Sequence, residues 1–144
     1  MDMSSTSQRK DARTHCTDRE SLNKTTSLII DKAIVVHSKL GPGLLESVYG
    51  TCLTYELRKA GATVATEQIV PVFYDELQLD DGYRLDMLVN DAVIVEIKTV
   101  ERILPVHEAQ LLSYLKLLDK RVGLLLNFKV PVLTQGIKRK VNNF

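Results

Sequence analysis

From Ser21 onward, Leu22, Ile29, Ile30, Ala33 and Ile34, followed by His37, recur at spacings near three and four, and this period predicts a helix. Gly41-Pro42-Gly43 stops it. A second helix is predicted just after that run, with Leu45, Val48, Tyr49, Cys52, Leu53 and Leu57 as its inner stripe and an end near Gly61. The pattern changes at Thr63. Val64, Ile69, Val70, Val72, Phe73 and Tyr74 are strand formers, and Asp80-Asp81-Gly82 reads as a polar turn. Tyr83, Leu85, Met87 and Val89 then alternate with Arg84, Asp86, Leu88 and Asn90, and Val93 to Lys98 completes a predicted three-stranded meander. Pro105 suits the first turn of a helix, and Val106, Gln110, Leu111, Tyr114, Leu115 and Leu118 keep helical spacing up to about Asp119. Gly123 to Asn127 reads as a short buried strand, and a tail follows.

Composition narrows the class. With 144 residues, 44% hydrophobic and 26% charged, the chain has the make-up of an ordinary soluble globular domain, not that of a disordered, collagenous or disulfide-scaffold protein. A chain of this length buries roughly 68 to 70% of its unfolded surface, enough for one core. That core is assigned to one domain over residues 24–144. Residues 1–23 have too few apolar side chains to offset their ordering entropy and are expected to form a mobile polar leader. Apolar runs such as Ile34-Val35-Val36 fall far short of the ~18 residues of a spanning helix, and no secretory signal opens the chain, so a cytoplasmic location without a membrane partner is expected. Cys16 and Cys52 show neither CxxC nor zinc-ligand spacing and read as two reduced thiols.

The net charge of +1 conceals an asymmetry. Residues 28–115 carry seven Lys/Arg against thirteen Asp/Glu, whereas residues 116–144 carry seven against one. An acidic body repels a polyanion unless a cation screens some of its carboxylates, while the basic C-terminal segment, with Lys138-Arg139-Lys140, is suited to phosphates or simply to solubility.

Asp86 and Glu96 both fall in otherwise apolar strand sequence, and Lys98 shares the face of Glu96 two residues on. Burying bare carboxylates costs several kcal/mol each unless a cation or a donor compensates. Hairpin register decides whether the two meet. A two-residue turn at Asn90-Asp91 sends Asp86 to the opposite face, whereas a three-residue turn, Asn90-Asp91-Ala92, pairs Val89 with Val93 and sets Asp86 opposite Glu96 at about 4.5 to 5.5 Å. Two carboxylates that close, beside a lysine, form an oxygen-ligand site suited to Mg²⁺ or Mn²⁺. The competing account is an ordinary salt bridge between Lys98 and Glu96, with Asp86 exposed at a strand end.

Asp86 followed by Glu96-Ile97-Lys98 resembles the Asp…(Asp/Glu)-x-Lys signature of the PD-(D/E)XK nuclease superfamily. Gly43-Leu44-Leu45-Glu46-Ser47-Val48-Tyr49 is similar to the motif of the GxxExxY family placed within it, and Gln110 with Tyr114 resembles the QxxxY element of RecB-type members. The likeness covers about Ile29 to Asn142. Leu85 stands where the superfamily usually has proline, at a position that carries no ligand.

The resemblance implies an α/β fold of the restriction-endonuclease type, a mixed sheet flanked by helices. It also implies that Asp86 and Glu96 hold a divalent metal, that the carbonyl of Ile97 adds a ligand, and that Lys98 orients or acidifies the attacking water. Glu46 is a further candidate, directly or through water, and Gln110, Tyr114 and His107 are candidates for positioning Lys98 or a phosphate. Tyr49 is expected to pack, and Gln68 is a further candidate lining residue. The activity implied is metal-dependent hydrolysis of phosphodiester bonds in DNA or RNA, with a second copy as the expected aid for gripping a duplex. The alternative is a nucleic-acid-binding or protein-interaction module that keeps the fold with little or no turnover.

Overall fold

Helical periodicity, strand alternation and turn residues assemble into three helices, a 3₁₀ turn and seven strands in this computed structural model, which describes residues 3–144, with side chains from residue 18 onward except Asp81. The first helix, α1 (Met3–Leu40), turns Leu22, Ile29, Ala33 and Val36 into the core and ends at Gly41, whose φ of 74° lies in the left-handed region that glycine adopts freely. α2 (Glu46–Lys59) buries Tyr49, Leu53 and Leu57, and α3 (Pro105–Leu117) buries Leu111, Tyr114 and Leu115.

Five strands form a mixed sheet: β1 (Val64–Thr66), β4 (Met87–Val89), β5 (Val93–Lys98), β6 (Val122–Asn127) and β7 (Ile137–Val141), in that spatial order. β5 and β6 run parallel with α3 as their crossover, and the other pairs are antiparallel. Alternation divides the core. Val93, Val95, Ile97, Leu124 and Leu126 face α1 and α2, while Leu88, Ile94 and Leu125 face α3. β5 and β6 are covered on both sides, so hydrophobicity runs through them without alternation. Gly123 admits α3 closely, since a Cβ there would stand 2.7 Å from Leu111 Cδ1.

β2 (Ile69–Tyr74) and β3 (Leu77–Arg84) form a separate two-stranded ribbon. The expected first strand is therefore two, interrupted at Glu67, whose φ is 56°. Asp80-Asp81-Gly82 is no turn but lies inside β3; strand partners jump from Val70 with Tyr83 to Val72 with Leu79, leaving those three residues opposite Pro71, which has no N–H to offer a regular ladder. The chain reverses at Asp75-Glu76 instead, with Asp75 at φ 50°. The tail beyond Asn127 is also ordered, as a 3₁₀ turn (Leu133–Gly136) and the edge strand β7. α1 begins well before Ser21, and residues 18–23 pack, with Leu22 buried and Asp18 paired to Arg121. The leader expectation for residues 1–17, Cys16 included, lies outside the described side chains; Cys52 is a free, half-buried thiol. Leu45 and Val48, expected in the inner stripe of α2, are exposed because the helix starts only at Glu46 and turns Tyr49 inward.

Candidate active site

The β4–β5 hairpin carries the site. Its turn is Asn90-Asp91-Ala92, with Asn90 and Asp91 at φ 53° and 52°, a conformation that Asn and Asp tolerate better than other non-glycine residues. Asn90 is held from two sides: its Oδ1 accepts from the Thr63 N–H at 3.0 Å and its Nδ2 donates to Thr25 Oγ1 at 3.2 Å. Val89 therefore pairs with Val93 and Met87 with Val95, the three-residue-turn register. Asp86 sits in the bend just before β4 and follows that register to meet Glu96.

There the two strands part, and each carboxylate bonds to the other strand's backbone. The Asp86 N–H donates to Glu96 Oε2 at 2.8 Å, and the Ile97 N–H donates to Asp86 Oδ2 at 2.7 Å. Oδ1 of Asp86 and Oε1 of Glu96 have no hydrogen-bond partner among the described residues. Glu96 is only 5% exposed. Burial, followed by the charge of Asp86, pushes its carboxyl up to about 8. Asp86 is raised by burial as well, against the opposing Ile97 hydrogen bond. Two acids driven toward neutrality by each other and by burial constitute an electrostatic deficit that a cation would cancel. Lys98, half-buried on the same strand, makes no ion pair among the described residues, so the salt-bridge account of Glu96 does not hold.

Glu46, exposed on the first turn of α2, borders one cleft together with Glu67, Asp86 and Ile97, and its charge raises both Asp86 and Glu96. Among the described residues, however, no three His, Cys, Asp or Glu side chains are grouped closely enough to hold a metal ion. The fit of a metal thus rests on two carboxylates, the Ile97 carbonyl and water, an all-oxygen set of the type that Mg²⁺ and Mn²⁺ accept.

On the other side, α3 presents the buried Tyr114, whose hydroxyl is pushed up to about 12 by desolvation, then by Glu96, Tyr83 and Asp86, with Gln110 acting against that rise. His107 turns away from this group: its Nδ1 accepts the Leu104 N–H at 2.9 Å and caps α3. Tyr49 packs. Its ring stacks on Phe128 at 4.4 Å, and its hydroxyl donates to the Gly41 carbonyl and accepts the Leu44 N–H at 3.0 Å, pinning the loop that leads to Glu46. Gln68, half-buried at the kink between β1 and β2, accepts the Leu85 N–H through its carbonyl, and its side chain is not part of the cleft wall. The basic trio lies on β7, at the sheet edge. Lys138 is exposed, Arg139 donates to Asn23 Oδ1 at 3.0 Å, and Lys140 reaches Glu108 at 3.2 Å. Sequence reasoning missed Tyr55, Arg58, Lys59 and Glu67 in the cleft wall; a repeat of i+4 spacing from Glu46 through Gly50 and Thr54 to Arg58 was the available signal.

Comparison with curated proteins gives no match. Comparison with solved structures gives none either. The family model of the PD-(D/E)XK nuclease superfamily matches residues 23–140, a span that contains the second half of α1, all of α2, the carboxylate pair, Lys98 and α3. The family, whose members generally use divalent metals, accounts for the sheet, its flanking helices and the Asp86, Glu96-Ile97-Lys98 arrangement at the strand fork, and the chain belongs to it: it is a member of the PD-(D/E)XK nuclease superfamily.

Proposed function

We propose that this chain is a divalent-metal-dependent nuclease that hydrolyses phosphodiester bonds in DNA or RNA, with residues 24–144 as its catalytic domain and Mg²⁺ or Mn²⁺ as its cofactor. The carrying observation is the register that sets Asp86 against Glu96, with Lys98, which makes no ion pair among the described residues, on the strand of Glu96. Asp86, Glu96 and the Ile97 carbonyl would hold the metal, with Glu46 reaching it through water. Such an ion, when bound, acidifies water and neutralises charge building on the phosphate. Lys98 directs its ammonium to the attacking water and the phosphate. Tyr114, its hydroxyl protonated up to about pH 12, serves only as a donor, and Gln110 orients it. Lys138, with Arg139 and Lys140 once released from their present partners, would attract the polyanion. The Gly43, Glu46, Tyr49 motif supports membership of the GxxExxY family within the superfamily, since Tyr49 fixes the loop that delivers Glu46. No helix among the described residues is long and apolar enough to cross a membrane, and a cytoplasmic location is part of this reading.

A second reading, a binding module with little turnover, is favoured by the lack of a third carboxylate close to the pair among the described residues. Purified full chain, incubated with single-stranded, duplex and branched DNA and with RNA, separates the two. The nuclease reading expects cleavage that requires Mg²⁺ or Mn²⁺, stops with chelator, and falls about 100-fold or more in Glu96→Ala and in Lys98→Ala. Cleavage that survives either substitution, or salt-sensitive binding with no cleavage by the wild type, contradicts it.

A further inference from the structure

The cleft bordered by Asp86 and Ile97, whose wall includes neither Glu96 nor Lys98, runs further than one phosphate requires. It has a volume of about 970 Å³ and extends from Glu46, Glu67 and Asp86 at one end to Tyr55, Arg58 and Lys59 at the other. Between these ends α2 lines it with Ser47, Gly50, Thr51 and Thr54, small side chains that leave the channel open. Glu46 and Tyr55 are nine positions apart on α2, so the ends are separated by about 13 Å of helix, more than one phosphate spans.

The chemistry of the two ends differs. Tyr55 is 62% exposed, a large ring on a helix that already buries Tyr49, Leu53 and Leu57 without it. The Lys59 ammonium stands 5.8 Å from the Tyr55 ring centroid. Arg58 donates from Nη2 to the Val64 carbonyl at 2.7 Å, which fixes the guanidinium against the cleft wall with its other N–H groups unengaged among the described residues. Neither cation has a carboxylate partner among the described residues, in contrast to Lys140 on β7. Cations in the last turn of a helix are favoured by its dipole alone. The dipole gives no reason for an exposed aromatic ring between them and the acidic end.

We infer that this end of the cleft binds an unpaired stretch of nucleic acid, with a base stacked on Tyr55 and its phosphates on Lys59 and Arg58, a few nucleotides from the phosphate at Asp86 and Glu96. The inference rests on the nuclease reading of the carboxylate pair and adds the strandedness of the substrate. Bases inside a duplex are stacked on one another and offer Tyr55 no face, whereas a single strand presents one at every nucleotide. A cationic groove with an aromatic platform is the sequence-tolerant way to hold such a strand.

Fluorescence anisotropy tests it with labelled oligothymidylate and oligouridylate of about ten nucleotides and a blunt duplex of the same length, in chelator so that turnover does not intervene. Tyr55→Ala is expected to weaken binding of the single strand about 10- to 100-fold, while Tyr55→Phe stays within about 2-fold of wild type. Lys59→Gln is expected to reduce the slope of log affinity against log salt by about 0.7. The relative affinity for the two oligomers distinguishes DNA from RNA. Both Tyr55 variants should melt with the wild type, because the ring is exposed. Equal affinity of Tyr55→Ala and wild type, or wild-type protein that binds the duplex but neither strand, overturns the inference. Cleavage reports separately. A protein that cleaves with KM unmoved by Tyr55→Ala keeps the nuclease and loses this site, whereas Tyr55-dependent strand binding without cleavage in Mg²⁺ or Mn²⁺ keeps this site and loses the nuclease.

Discussion

The five-stranded sheet and the β2–β3 ribbon draw on similar residues and treat them in opposite ways. In β5 every side chain from Val93 to Ile97 is buried, and β6 is buried along its whole length. On the ribbon, α3 covers Val70 near the start of β2, but Phe73, Tyr74, Leu77 and Leu79 at its far end are 53–69% exposed, because no second layer among the described residues reaches them. The same contrast governs acids. Asp80 on the ribbon is exposed and accepts from Gln78 Nε2 at 3.0 Å, an arrangement that water supports at little cost. Glu96 stands in the covered sheet, where its carboxylate is heavily desolvated and Asp86 adds repulsion. An acid in strand sequence thus points to chemistry only where the strand is covered on both faces.

The largest expected effect is mechanical. Leu124→Ala removes a fully buried side chain at the centre of the sheet and should cost about 2–5 kcal/mol, lowering the melting temperature by roughly 10 °C. Phe73→Ala removes a larger side chain from the ribbon and should move it by less than about 2 °C. Thermal unfolding followed by circular dichroism measures both; comparable losses at the two positions would mean that something covers the ribbon, and the contrast would fail.

A smaller effect concerns pH. The Glu96 carboxyl titrates at about 8 in the folded chain against an ordinary 4.5, so the folded state binds the proton more tightly than the unfolded one. Stability contributed by this group is present below about pH 4.5 and is lost as pH rises through about 8. Metal-free protein should therefore melt about 5 °C lower near pH 8 than near pH 5. Glu96→Gln, which cannot ionise, should flatten that slope, and Asp80→Asn on the ribbon should leave it unchanged. A wild-type melting curve independent of pH in this window would contradict the desolvated state of Glu96.

Much of the site was legible because its determinants are local. The choice between a two- and a three-residue turn at Asn90 fixed whether Asp86 could meet Glu96, and Asn90 and Asp91 are residue types that accept the positive φ the turn needs. The break at Glu67 was illegible, since Val64 to Tyr74 is rich in strand formers and only tertiary pairing divides it between β4 and β3. Asp80-Asp81-Gly82 has turn composition but is spent as an irregular stretch opposite Pro71. β7 read as a charged tail, yet an edge strand tolerates lysine and arginine well. Tyr55 and Lys59 gave no signal of their own, because the cleft exists only where α2 crosses the fork between β4 and β5. His107 shared helical spacing with Gln110 and Tyr114, but its position at the start of α3 made capping the nearer use of its ring.

The central claim is that Asp86 and Glu96 form one divalent-cation site. Isothermal titration of metal-free protein with Mn²⁺ near pH 8, on the wild type, Asp86→Ala and Glu96→Ala, tests it without reference to turnover. The account predicts one site per chain in the wild type, proton release as Glu96 gives up its proton, and loss of the site in both variants. Unchanged Mn²⁺ binding in either variant, or none in the wild type, would contradict it.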